Sequence, residues 1–260
     1  MKCSVIVASN NSEVLESSLL ASPDLTQDIE VIVERGAASA GAAYNAGLAK
    51  AGSDVLVFVH QDVFLPQGWL QSFREAAAQL QASDPFWAVM GAFGIGKDGR
   101  GHGHLYSTGL QRVVGGHFSQ PEPVQTLDEV LLVVRRSSGL RFDESLPGFH
   151  LYGSDICVQA QQHGMGCYAF PSFCVHNTNG IRLLPWAYWK AWRYLRSKWW
   201  NQLPISTPCM EITRWGGAAM RHLIAHSLKL GLPSSTAGRR VESPALLYAS
   251  LLEQKLKESV

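Results

Sequence analysis

Nowhere in the 260 residues does an uncharged apolar run approach the roughly 18 residues that a membrane-spanning helix requires. Met1-Lys2-Cys3 leads straight into a short strand-like segment instead of an apolar signal region, so the chain is expected to be neither secreted nor transmembrane. Cysteine is sparse: Cys3, Cys157, Cys167, Cys174 and Cys209 form an odd set with no CxxC pair. That argues against a disulfide framework and a zinc knuckle, and it favours buried, reduced thiols in a cytoplasmic protein. Internal repeats and low-complexity blocks are missing as well, which sets aside solenoids and disordered arrays. What remains is an ordinary globular balance of 46% hydrophobic and 17% charged residues, enough for one large domain or a domain with an appendage.

A net charge of +1 conceals an asymmetry. Residues 1–180 carry 10 Lys/Arg against 17 Asp/Glu, whereas residues 181–260 carry 12 against 4. An acidic body, 1–180, and a basic, Trp-rich helical extension, 181–260, are therefore expected as two functional parts, the second facing an anionic partner.

Apolar β-branched runs at Cys3 to Ser9, Ile29 to Val33 and Val55 to Val59 read as strands. Helical patterns follow each of them: Val14, Leu15, Leu19 and Leu20 after the cap candidates Asn10, Asn11 and Ser12; Ala40 to Ala51; and Pro66 to about Gln81. Strands without alternation, separated by helices, predict an α/β fold with a mostly parallel central sheet flanked by helices. Residues 93–125, rich in Gly, His and Pro, read as loops laid over a site. Glu129 to Arg135 then reads as a strand, Ser154 to His163 as a helix, and the residues after Pro185 as a Trp-rich helix to about Trp200. The composition from Leu232 to Ser243 suggests a mobile linker before a last short helix.

The segment Val55-Leu56-Val57-Phe58-Val59-His60-Gln61-Asp62-Val63 is the most informative, because an apolar strand stops abruptly in a polar triplet ending in a carboxylate. In open parallel sheets ligands bind beyond the carboxyl ends of the strands, and a hard oxygen there can hold Mg²⁺ or Mn²⁺ against two phosphates. A plain polar cap after a strand is the competing account. Glu34 closes the second strand, where it could accept hydrogen bonds from a base or ribose, or form a surface pair with Arg35. Asn45 and Gly47 lie in a small-residue helix start that would let a nucleotide approach the backbone, or would serve close helix packing. His176, ending Phe173-Cys174-Val175-His176, could complete a metal shell or be a structural histidine.

The order of these segments resembles that of family 2 glycosyltransferases with a GT-A fold, over about residues 3–180. The specific part runs from Leu127-Asp128-Glu129-Val130 through Arg135-Arg136 and Phe142-Asp143-Glu144 to Gly148-Phe149-His150-Leu151-Tyr152-Gly153-Ser154-Asp155-Ile156-Cys157, then His176. It is similar to the streptomycin-biosynthesis StrF-like branch, in which His-Gln-Asp-Val replaces the usual Asp-x-Asp. The resemblance implies a metal-dependent, inverting transfer of a sugar from a nucleoside-diphosphate-sugar to a hydroxyl acceptor, whether glycan, lipid-linked or small molecule. It places Mn²⁺ or Mg²⁺ on Asp62 and His176. The donor would lie against Ser9, Asn10, Glu34, Asn45, His60, Gln61 and Asp128.

One departure matters. Many relatives carry Glu-Asp-x-Asp, their first Asp being a favoured base, where this chain has Tyr152-Gly153-Ser154-Asp155. Asp155 becomes the first candidate to take the acceptor's proton and His150 the second, with Asp155 equally readable as a helix N-cap. The missing acid also leaves open a nucleotide-sugar-binding protein without turnover. Gly94 to Gly99 spells GxGxxG, but no helix-forming sequence follows, which argues against a dinucleotide site. His102 and His104 lack a third ligand and read as loop residues, and Asp143-Glu144 as a turn or helix-start pair. The Trp residues at 186, 189, 192, 199 and 200, interleaved with Lys190, Arg193, Arg196 and Lys198, either pack the extension onto the body or lie at the inner membrane surface. No nucleic-acid partner is expected, since no recognised module is present.

Overall fold

The computed structural model describes residues 2–26, 28–180, 183–227 and 238–258. Strands β1 (Cys3–Ser9), β2 (Glu30–Arg35) and β3 (Val55–His60) alternate with helices α1 (Ser12–Ser17) and α2 (Ala40–Lys50). A two-residue strand β4 (Val63–Phe64) and helix α3 (Trp69–Ser83) lead to β5 (Trp87–Gly91). Strands β6 (Phe93–Ile95), β7 (Gly101–Ser107), β8 (Arg112–Gly115), β9 (Glu122–Pro123) and β10 (Thr126–Leu127) follow, then β11 (Leu131–Arg135). The remainder is α4 (Tyr152–Gln162), β12 (Gly166–Ala169), β13 (Cys174–His176), α5 (Trp186–Lys198), β14 (Ile205–Ser206), β15 (Glu211–Ile212), α6 (Gly217–Ser227) and α7 (Pro244–Glu258).

The central seven-stranded sheet has the order β2-β1-β3-β11-β5-β12-β9. Neighbours β2, β1 and β3 are parallel, as expected, but β11 runs antiparallel to both β3 and β5. The sheet is therefore mixed. No helix intervenes between β10 and β11, and the His60 N–H bonds to Val130 at the entry of β11 (3.1 Å), so β11 starts where β3 ends. Both faces are covered, and the strands divide their side chains accordingly. Ile6, Leu56 and Phe58 join a core with α2, α4 and α5; Val5, Val7, Val55, Val57 and Val59 join a second with α1 and α3.

The expectation of loops over 93–125 is overturned. Strands β10, β6, β7, β13 and β4 form a second sheet with β8 on its side. Glycine hid this pattern by weakening strand propensity while permitting close approach. A Cβ on Gly103 would stand 2.5 Å from the Ala92 carbonyl oxygen, which only glycine avoids. Gly94 to Gly99 spans the end of β6 and its turn into β7, so a dinucleotide site is ruled out by the strand that follows. His102 and His104 both lie on β7, not in a loop, and His102 pairs with Glu122.

Helix α5 buries Tyr188, Ala191, Trp192 and Leu195, spaced to line one helix face, within the core shared with α2 and α4. The Trp-rich helix thus packs against the body. The linker expected over 232–243 lies outside the described residues up to position 237; Gly238 to Val241 form defined hydrogen bonds, and α7 spans 15 residues.

Candidate donor and metal site

Register brings three strand ends into one row: Ala8 of β1 pairs with Glu34 of β2 on one side and His60 of β3 on the other. Just beyond them, Ala8, Ser9, Asn10, Glu34, Gly36, Ala37, Tyr44, His60, Gln61, Asp62 and Phe149 enclose a cavity of about 310 Å³. This is where the carboxyl ends of parallel strands leave room for a ligand. Gln61 fixes the rim. Its Oε1 accepts from the Ser9 hydroxyl (2.8 Å) and from the N–H groups of Asn10 and Asn11 (3.1 Å each), and its Nε2 donates to Asn10 Oδ1 (2.7 Å).

Asp62 sits in the turn between β3 and β4, and β13 pairs with β4 so that His176 stands opposite Val63. The Asn177 N–H bonds to the Asp62 carbonyl (2.7 Å), locking this juxtaposition. His176 Nε2 is 3.4 Å from Asp62 Oδ1, and each of His60, Asp62 and His176 offers a ligand atom within 4.8 Å of the others. Two imidazoles and a carboxylate are a donor set that could hold a divalent metal ion.

The electrostatics agree with that use. Burial alone would raise the Asp62 carboxyl, but the His176 hydrogen bond, the nearby His176 and His60 charges and the Arg240 guanidinium hold it far below the usual carboxylate range. Burial pushes the His60 imidazole down, toward the neutral form a metal requires. Tyr152 donates to the Glu129 carbonyl (3.0 Å), so its hydroxyl oxygen accepts from His60 Nε2 (2.9 Å). That arrangement protonates Nε2 and leaves the lone pair on Nδ1. The sequence places His60 on the donor, and it does line the cavity; the structure also brings it within ligand distance of Asp62 and His176, for which its two-residue spacing from Asp62 was the available signal.

Other expected site residues fare differently. Glu34 lines the cavity and is paired with Lys50 (2.6 Å). Asn45 is turned away from the cavity lining: its side chain bonds Phe142 O (2.8 Å), Glu144 Oε1 (3.0 Å) and Phe142 N (3.0 Å). Gly47 lies hard against Ile6, so the small residues of α2 serve close packing on β1. Asp128 caps its own loop, its Oδ1 accepting from Val130 N (3.0 Å), and it acts on His60 through its charge.

The structure removes Asp155 from the cavity. Helix α4 starts at Tyr152 with Leu151 as its N-cap, so Asp155 is no cap either. It is 1% exposed, and its oxygens are taken by Lys198 Nζ (2.8 and 2.9 Å), Trp199 Nε1 (2.7 Å) and Gln159 Nε2 (2.7 Å). The absent family acid has a steric reason as well: a Cβ on Gly153 would approach the Leu127 carbonyl oxygen to 2.6 Å. His150 neighbours Phe149 of the cavity wall, stands near enough to His60 for their charges to oppose, and is pushed below the ordinary histidine pKa by burial.

Comparison with known proteins agrees with the fold. The family model described as Glycosyl transferase family 2 matches residues 2–127. Among solved structures, GalNAc-T7 with UDP, GalNAc and Mn²⁺ is 14% identical, with a TM-score of 0.54 over 78% of this chain and 48% of that one. TarS of S. aureus is 17% identical, with a TM-score of 0.48 over 76% of this chain and 65% of the 1–349 form. A protein described as "ATP synthase subunits region ORF 6" from Fuscovulum blasticum is 30% identical over 126 residues, 47% of this chain and 50% of the relative. The chain thus spans about half the length of the ORF 6 relative and of GalNAc-T7. The fold is GT-A, with an extended C-terminal part.

Proposed function

We propose that this chain is a metal-dependent, inverting glycosyltransferase that moves a sugar from a nucleoside-diphosphate-sugar to a hydroxyl acceptor. The observation that carries this reading is the His60–Asp62–His176 cluster, two of whose members, His60 and Asp62, line a cavity at the carboxyl ends of β1, β2 and β3. The family match over residues 2–127 and the Mn²⁺ and UDP named for GalNAc-T7 support it. His60, Asp62 and His176 would hold a divalent ion, which would supply charge neutralisation for the diphosphate as it departs. Glu34, Ser9, Asn10 and Gln61 line the space for the nucleoside, with the Glu34 carboxylate able to accept from ribose hydroxyls. His150 takes the acceptor's proton as its oxygen bonds to the anomeric carbon and the bond to the diphosphate breaks, the electron pair leaving with the diphosphate. A neutral imidazole is the form that can accept that proton.

A thermal-shift series with UDP-, GDP-, dTDP- and CDP-sugars, with and without Mn²⁺, tests the donor site, since a ligand bound only by the folded chain raises its melting temperature. The expected outcome is a Mn²⁺-dependent shift for one base, abolished in Asp62→Asn. No shift with any donor would end the reading; a shift without transfer or hydrolysis would favour the turnover-free binding protein.

A peripheral contact with an anionic membrane surface is proposed for the extension. Arg196 donates to the Thr213 and Arg214 carbonyls and stacks on Trp200, and the segment that follows Arg214 exposes Trp215 (95%), Met220 and Ile224. Apolar side chains among cations suit a headgroup boundary, and the free thiols suit the cytoplasmic side. Among the described residues no helix is long and apolar enough to cross a membrane. Sedimentation with phosphatidylglycerol vesicles, lost in Trp215→Ala, is the expected result; equal sedimentation with neutral vesicles would contradict it.

A further inference from the structure

The C-terminal segment reaches the metal cluster. Arg240 donates through Nε to the Asn177 carbonyl (2.8 Å) and through a terminal nitrogen to Asp62 Oδ2 (3.1 Å). Asp62 is therefore engaged on both oxygens, by His176 at Oδ1 and by Arg240 at Oδ2. The arrangement is built from the backbone up. Asn177, fully buried, accepts from the Val241 N–H (2.8 Å), donates to the Val241 carbonyl (2.9 Å) and bonds the Asp62 carbonyl through its own N–H (2.7 Å). Gly238 bonds both Gly109 (3.1 Å) and Gly180 (2.8 Å), and Arg240 N–H bonds Asn179 Oδ1 (3.0 Å). The segment is thus anchored by its backbone, and the Arg240 side chain is held through Nε at the Asn177 carbonyl, with a terminal nitrogen carrying the contact to Asp62.

We propose that Arg240 is a two-position cation of the donor site: it neutralises Asp62 before the divalent ion binds, then turns to the donor's diphosphate once the ion has taken its place. The proposal rests on the metal and diphosphate reading given above. Its physical basis is charge. Arg240 sits on Asp62 Oδ2; a divalent ion on the same carboxylate would repel the guanidinium and take over the neutralisation of Asp62, and the arriving diphosphate would offer the guanidinium a stronger anion. Arginine suits the exchange, because its planar fork bonds carboxylate and phosphate alike and stays charged throughout. Donor binding would then be sensed directly by residues 238–241, and through them by the C-terminal extension.

The test uses the full chain and two probes, Mn²⁺ alone and inorganic pyrophosphate with Mn²⁺, followed by titration calorimetry. Pyrophosphate avoids any dependence on the unknown base and sugar. Arg240→Ala should bind Mn²⁺ alone several-fold more tightly, since a competitor has been removed, and pyrophosphate about 10- to 100-fold more weakly, the range expected for a lost charge-assisted hydrogen bond. Arg240→Lys, a point charge unable to span both partners, should fall between the two. Unchanged affinity for both probes, or weaker binding of Mn²⁺ alone, would overturn the proposal. Asp62→Asn separates the premises: it should lose Mn²⁺ binding whatever Arg240 does, and if it does not, the metal reading itself fails and the proposal with it. A circular-dichroism melt of each variant confirms that the fold is retained.

Discussion

Two carboxylates in this molecule are almost equally shut away from water, and they do opposite things. Asp155, at the junction of α4 and α5, is 1% exposed, and its two oxygens receive four hydrogen bonds from Lys198, Trp199 and Gln159. Asp62, at the edge of the central sheet, is 8% exposed, holds one contact per oxygen and faces a cavity. A carboxylate whose lone pairs are all matched inside the protein stabilises the fold and has nothing left to offer a ligand. One that is held by a histidine and a competing cation at the wall of a cavity has been positioned for something that arrives later. Depth of burial therefore does not distinguish the two acids; completeness of pairing does, and the less completely paired one is the acid we propose for the metal.

The comparison breaks most visibly at Asp155. Asp155→Ala leaves the half-buried Lys198 with Asp143 alone and the Trp199 and Gln159 donors without their acceptor, and should cost about 1–3 kcal/mol, the range for polar groups left unpaired. Denaturant unfolding measures this. Asp155→Asn, which preserves shape, should retain turnover in whatever fraction folds; a folded Asn variant without activity would return Asp155 to the role of base.

Next in size is Tyr152→Phe, which removes the hydroxyl that bonds His60 Nε2 while keeping the ring against Tyr44 and Phe142. Loss of a group that orients a metal-binding histidine should weaken Mn²⁺ about 10- to 100-fold, with little change in melting temperature. Unaltered Mn²⁺ affinity in calorimetry would show that the tautomer of His60 is fixed by something else.

A third test concerns Glu129, whose carbonyl accepts from the Tyr152 hydroxyl. Burial and the neighbouring Asp128 charge push its carboxyl up to about 8, although the N–H groups of Leu151 and Gly153 oppose this, and its Oε1 has no partner among the described residues. From about pH 4.5 to pH 8 the unfolded chain has released a proton that the folded chain retains, so stability should fall as pH rises across that window. In metal-free buffer Glu129→Gln should lose this part of the decline, seen as a difference of melting curves between pH 5 and pH 8. Parallel curves for the two proteins would mean that the carboxyl is not raised.

Much of this organisation was legible in the residues. The apolar runs at β1, β2 and β3 and the abrupt polar stop at His60-Gln61-Asp62 announce a sheet with a cavity at its strand ends, because hydrophobic period and strand ends are local properties. The second sheet was not legible: β6 and β7 are held by cross-strand pairing and glycine contacts, which composition reads as loop. Asp155 was misread for a related reason. An acid in a helix's first turn looks the same whether it faces a cavity or a lysine 43 residues further on.

The sequence by itself determined the alternation of strands and helices, the polar triplet that ends β3 and the basic character of the tail, all of which are written in neighbouring residues. Only the tertiary structure decided that His176 and Arg240 converge on Asp62 and that Lys198 claims Asp155. Those meetings join residues more than 40 positions apart, and sheet register and helix docking, not local propensity, set which of them touch.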